Sequence, residues 1–427
     1  MTRRPRLAAA VASASALAVL LALLHAWRDL DYWNYSEGVY ALTSRLLLAG
    51  DDLYGDVVVA QPPLMFLVGG AALALEDSIL SLRLAVGGLQ ALTAALAAYA
   101  VWRLTGKGLA AAAAAALAML TPWAVHEHGL LTPELVGAPL LVGGALLAAR
   151  TGLAPAAGLV LSLAVFAKLP FALPALLVAV AAADRRRCIC WLAGAMLAQG
   201  AVWTATFGPA MWEAVVVAQQ GTGLRTLKQV AEYGSQALWN LLGLLLPAIA
   251  AVFVLHRRAS DADLLRTCAA LAAGLLLTLP TMAKNGTGIN VVAPIEAALV
   301  ILAVTGATWA VTDEGRRRAL QGATAVGFVL LLAQTASLFL APENPRPFLR
   351  PDASAGLGPT LQTPEVEAEV RRARACPSGV PYSGEPYLAF VAERPIPANQ
   401  PDGFLTAESS SLRDVLTEIR ADQPRCP

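Results

Sequence analysis

Ionisable residues are scarce in this sequence, and three are placed where they could do chemistry: Glu37, Lys168 and Glu296. Glu37 opens a stretch in which Glu37, Tyr40 and Ser44 recur at helical spacing as one polar stripe, with Val39, Leu42 and Leu46 opposite. Such a helix is predicted to lie on a bilayer, apolar side down, with Ser36 as its N-cap. It would hold a carboxylate at the membrane surface, where it could deprotonate a hydroxyl as a general base. A solvated acid in a first helical turn gives the same pattern. Lys168 falls between two half-length apolar segments, where an unpaired cation is costly, so it must face a polar site or reach outward. Glu296 lies about six residues, roughly 9 Å, inside an apolar segment that starts near Asn290. Its expected partner is Lys168 or Lys284. His126, Glu127 and His128 share a loop, and with Glu134 they could take a divalent ion. Polar groups lining a wet vestibule account for them equally.

The elements that must carry these residues follow from composition. Of 427 residues, 57% are hydrophobic and 14% charged, against about 25% charged in soluble domains. Mean hydropathy is +0.59. Basic and acidic residues balance at 31 and 30, which argues against a nucleic-acid binder. The apolar content excludes disorder over most of the length. An all-α polytopic membrane protein remains. Residues 341–427 hold 21 of the charged side chains and 14 of the 27 prolines. The chain therefore divides into a membrane body, 1–340, and a polar tail, 341–427, long enough for a small α/β domain with a thin core.

Eleven transmembrane helices are expected, near 7–27, 82–103, 108–125, 134–149, 153–167, 169–183, 188–207, 236–256, 267–282, 290–311 and 319–340. The first reads as an anchor rather than a signal peptide, because its apolar run is long and no A-x-A site follows. With the N-terminus cytoplasmic, 15 basic residues fall inside and seven outside. The tail is then extracytoplasmic. There Cys376 and Cys426 either pair or remain free thiols. Arginine-rich, alanine-rich composition suggests a bacterial plasma membrane.

The longest loop, 28–81, is the most informative, since long loops are rarely kept without work to do. It contains Glu37–Ala41 (E-x-x-Y-A), Arg45–Gly50 (R-x-L-L-x-G), Leu53–Asp56 (L-Y-x-D) and Gln61–Leu64 (x-P-P-L). This order resembles the first outer loop of the GT-C membrane glycosyltransferases, in the branch of protein O-mannosyltransferases and lipid A aminoarabinose transferases (glycosyltransferase family 39-like). Thr132-Pro133-Glu134, Ala164–Pro170 around Lys168, Lys284–Asn290 and Gly384–Gly403 resemble further elements of that family. The resemblance implies a helical bundle with its site on the outer face. It implies transfer of a sugar from a polyprenyl-phosphate donor to a protein, lipid or cell-wall glycan, with no nucleotide and no obligatory cofactor.

Many relatives carry Asp-Glu in this loop, and here the Asp position is Ser36. The resemblance then passes the role of base to Glu37, with Asp31 as second candidate. Tyr40 and Gln61 would position the donor. Lys284, with Asn285, the backbone of Gly286 and Gly288, and Asn290, would hold the lipid phosphate, assisted by Lys168. His126, His128, Glu134 and Glu296 would serve the acceptor or support these groups. A transporter or flippase, or a catalytically silent scaffold, is the competing reading. Transporters usually show internal repeats, and none is evident here.

Overall fold

The structure is a computed structural model that describes residues 35–127, 129–255, 261–312, 317–340, 364–377, 380–382, 385–421 and 426. The first loop supplies α1 (Tyr35–Ala49) and α2 (Leu64–Leu75). The body follows as α3 (Ile79–Thr105), α4 (Gly108–Leu120), α5 (Pro133–Ala148), α6 (Ala154–Val165), α7 (Ala172–Ala181), α8 (Arg185–Phe207), α9 (Leu227–Leu255), α10 (Ala262–Leu276), α11 (Val292–Thr312) and α12 (Arg317–Leu340). The tail adds α13 (Pro364–Arg374), α14 (Pro386–Ala392), α15 (Gly403–Glu408) and α16 (Arg413–Ala421).

Local signals set several ends. Ser78 caps α3 by accepting from the Ser81 N–H, and Gly106 ends it in the left-handed region at φ 67°. Asp184 and Asp261 cap α8 and α10 in the same manner. Between such caps the residues are almost wholly apolar. Five helices are long and apolar enough to cross a membrane by length and composition: Ile79–Thr105, Arg185–Phe207, Leu227–Phe253, Ala262–Ala283 and Val292–Ala310. Shorter apolar helices, α4 to α7 among them, stand where further spans were expected. Neighbouring helices shelter their ends. The expected span at 7–27 lies outside the described residues. Helix α11 is central, packed against α3, α4, α5, α9, α10 and α12.

One expectation is corrected. Helix α1 does not lie with a polar stripe open to water: Glu37, Val39, Ala41, Leu42, Thr43 and Ser44 are all buried. Its two sides are covered by α2 and by α14 of the tail. Glycine permits both approaches. A methyl on Gly69 would lie 2.3 Å from Ser44 Oγ, and one on Gly38 would lie 2.2 Å from the Tyr387 backbone nitrogen.

The described part of the tail is helical, with one isolated bridge, Tyr382 to Cys426, in place of the expected sheet. Cys376 and Cys426 form a disulfide with Cα atoms 5.9 Å apart. Three further ties fasten the tail to the first loop. Arg45 donates to the Phe390 carbonyl at 2.8 Å and stacks on the Phe390 ring at 3.6 Å. Gln400 donates to the Asp56 carbonyl at 2.6 Å and accepts from the Val58 N–H at 2.9 Å. The Phe404 N–H donates to the Tyr35 hydroxyl at 3.0 Å.

Gly38→Ala is therefore expected to push α14 off α1. The cost should be about 1–3 kcal/mol, the usual range for overpacking. Thermal unfolding and faster proteolysis of the tail would report it; an unchanged melting temperature would contradict the contact.

Candidate active site

A cavity of about 880 Å³ opens where α1 begins. Its walls come from the first loop, the start of α5, the turn after α6, residues 215–225, the loop 281–290 and tail residues 402–405. Segments remote in sequence thus meet around one space.

On one side, Pro133 starts α5 and sets Glu134 in its first turn. Lys168 leaves α6 in extended conformation at φ −156° and forms an ion pair with Glu134. Glu134 is fully buried and Lys168 is 9% exposed, so each neutralises a charge that burial would penalise. Glu134 Oε1 takes the lysine, while Oε2 has no hydrogen-bond partner among the described residues. Asn290 Oδ1 is likewise unpartnered and also borders the cavity. Both atoms are buried, and among the described residues neither has a donor.

On another side lies the Lys284 loop. Gly286 turns it at φ 82°, where a side chain would be strained and a methyl would lie 3.1 Å from the Phe404 ring. Two backbone bonds tie the loop to the segment after α8: Arg225 N–H to the Ala283 carbonyl, and Asn285 N–H to the Gly223 carbonyl. Arg225 also donates to the carbonyls of Met282 and Thr287 at 2.5 and 2.7 Å, bridging the loop, and stacks on Tyr233 at 4.1 Å. Asn285 spends its side-chain amide on the Thr222 carbonyl at 3.2 Å, so it anchors the loop as well as lining the cavity. Lys284 makes no ion pair with the described residues. Burial pushes its pKa below the usual 10.5.

The roof is α1. The Tyr40 hydroxyl lies beside Gln61, and burial, then the Glu134 charge, push its pKa up. Tyr54 donates to the Gln61 carbonyl at 2.7 Å and fixes that residue. Ser36, Tyr40 and Gln61 all line the cavity.

Glu37 does not. It points away from the cavity into α3, where Arg83 donates to both carboxylate oxygens, Nε to Oε1 at 3.0 Å and Nη2 to Oε2 at 2.8 Å. Both side chains are fully buried. Held in this fork, Glu37 is not among the residues that line the cavity, where the expected base would have to meet a hydroxyl. Glu296 is also re-placed. Its Oε2 accepts from the Trp123 and Ala124 N–H groups at 3.1 Å, and its Oε1 from the Trp123 N–H at 3.2 Å, at the start of the short helix Pro122–His126. It therefore holds cavity-lining Trp123 in place, and neither Lys168 nor Lys284 is its partner. Asp31 and His128 lie outside the described residues, as does the side chain of His126. Among the described residues no three His, Cys, Asp or Glu side chains gather as a metal site.

Sequence reasoning missed Arg83, Arg225 and Asp402. The first two read as ordinary outer-loop cations. Asp402 precedes α15 as its N-cap, with Oδ1 accepting from the Leu405 N–H at 2.9 Å, and it lines the cavity. Burial raises its pKa from 3.8 to about 6.

The architecture defined here, a helical membrane bundle whose first loop roofs a cavity beside a tail segment, is shared with solved structures. The chain is similar to ArnT from Cupriavidus metallidurans bound to undecaprenyl phosphate, with TM-score 0.64 and 14% identity over 97% of this chain and 92% of that one. It is similar to the apo state of the same protein, with TM-score 0.58 and 16% identity over 96% and 91%. No family model matches the sequence, and no curated protein matches it.

Proposed function

We propose that the chain is a glycosyltransferase that takes a sugar from a polyprenyl-phosphate donor and moves it to a hydroxyl acceptor. It works at the outer face of a bacterial plasma membrane. The cavity carries this reading: it sets Lys284, which has no ion pair with the described residues, on a glycine-turned loop with Asn290, across from the buried Lys168–Glu134 pair. Lys284 and the backbone N–H groups of Gly286 and Gly288 hold the lipid phosphate as it leaves. Glu134 and Asn290 line the space that the sugar occupies. Tyr40 and Gln61 orient the donor, and the Lys168–Glu134 pair fixes the far wall. The likeness to a protein solved with undecaprenyl phosphate supports the donor class. The charge bias of the loops and the Cys376–Cys426 disulfide support an extracytoplasmic tail.

The test is sugar release by protein reconstituted in liposomes, from a panel of labelled polyprenyl-phosphate sugars. Release that depends on acceptor would establish transfer. Movement of the lipid between leaflets with no release would replace this reading with that of a flippase.

A further inference from the structure

We propose that Asp402, carried by the C-terminal tail, is the base that takes the proton from the acceptor hydroxyl. This rests on the transfer reading above.

The acids of the cavity narrow the choice. Glu134 is neutralised by Lys168. Glu37 is shut behind the wall with Arg83. Asp402 and Glu127 remain on the lining. Asp402 stands between the two elements that the reaction must bring together. Two residues on, Phe404 hydrogen-bonds through its N–H to Tyr35, the neighbour of Ser36 at the start of α1. The ring of the same Phe404 packs on Gly286 of the Lys284 loop. Asp402 is thus fixed from both sides, beside the loop that would hold the leaving phosphate. Its Oδ1 is spent on the Leu405 N–H, and no hydrogen bond from the described residues takes Oδ2.

The step balances as follows. The acceptor O–H gives its proton to Asp402 Oδ2, and its oxygen bonds to the anomeric carbon of the donor. The bond from that carbon to the phosphate oxygen breaks, and its electron pair leaves on polyprenyl phosphate. The proton then passes from Asp402 to water. A base that must be ionised yet basic is best with a pKa near the working pH, and burial raises Asp402 to about 6. Its charge acts on Tyr35 and Tyr40, Glu385 also acts on Tyr35, and the other ionisable groups lining the same cavity are Glu127, Glu134, Lys168, Arg225, Tyr233 and Lys284. Burial and, after it, neighbouring carboxylates push Tyr35 and Tyr40 upward.

The decisive variant is Asp402→Asn, because asparagine keeps the N-cap acceptor and cannot take the proton. With wild type releasing sugar, kcat for Asp402→Asn is expected to fall by about 100-fold or more, with the donor KM nearly unchanged. The acid limb of the wild-type kcat/KM profile, near pH 6, should vanish. Stability should not fall. An aspartate whose folded pKa is raised binds protons more tightly folded than unfolded, so ionising it above that pKa costs the fold. At neutral pH the asparagine form should therefore melt at the wild-type temperature or above it. Transfer by Asp402→Asn at the wild-type rate, or a collapse in Glu127→Gln alone, would overturn the base. No release by wild type from any donor would overturn the transfer reading, and the base with it.

Discussion

Glu37→Gln is expected to lower stability by about 3–5 kcal/mol, because it removes a carboxylate that meets two donors of a buried arginine. Arg83→Met should cost about as much from the other side. The double variant Glu37→Gln, Arg83→Met should recover most of the loss, since replacing a buried pair together removes both uncompensated charges. A double-mutant cycle on thermal or denaturant unfolding measures the coupling. Turnover per folded molecule should survive in the double variant, because neither side chain reaches the cavity. Glu37→Gln that melts like wild type but has lost turnover would return Glu37 to the chemical step.

Lys284→Ala is expected to lower kcat/KM by about 100- to 1,000-fold, the scale seen when one preorganised donor to a developing anion is removed. The loss should appear with every donor sugar, since the phosphate is common to all. Lys284→Arg should restore part of the rate, because charge is kept while geometry changes. The pH profile gives a second check. Burial lowers the Lys284 pKa, so free enzyme should lose donor binding on the alkaline side below the usual lysine range. A bound phosphate favours the protonated amine, so the corresponding limb in kcat should lie at higher pH. Lys284→Arg, always charged, should show no such limb. Full activity in Lys284→Ala would remove the loop from phosphate binding.

Much of the body was legible because apolar runs bounded by Ser78, Gly106, Asp184 and Asp261 declare helices locally. Tyr40, Gln61, Lys168 and Lys284 each stand out in a short segment of their own, and the structure brings all four to the lining of one cavity. The errors concern side chains whose meaning is set across long distances. Arg83 and Glu37 are 46 residues apart, and no helical period links them. Glu296 reads as a carboxylate inside an apolar span with a lysine for partner, yet its partners are backbone N–H groups at 123 and 124, which a search for opposite charges does not find. Asp402 sits in a polar, proline-rich tail, where one more acid carries no signal until Phe404 is seen against Tyr35 and Gly286.

The tie between Gln400 and Asp56 spans 344 residues. At about 5–20 residues per second, a ribosome takes roughly 17–70 s to cover that distance. For all that time the newly made first loop lacks the surface that α14 buries and the wall that residues 402–405 supply. A nascent or truncated chain therefore has no finished cavity, however well its bundle is inserted. Synthesis of residues 386–405 is the event that closes the cavity, and on the transfer reading any defect that keeps the tail from docking should register as absent activity before it registers as absent protein.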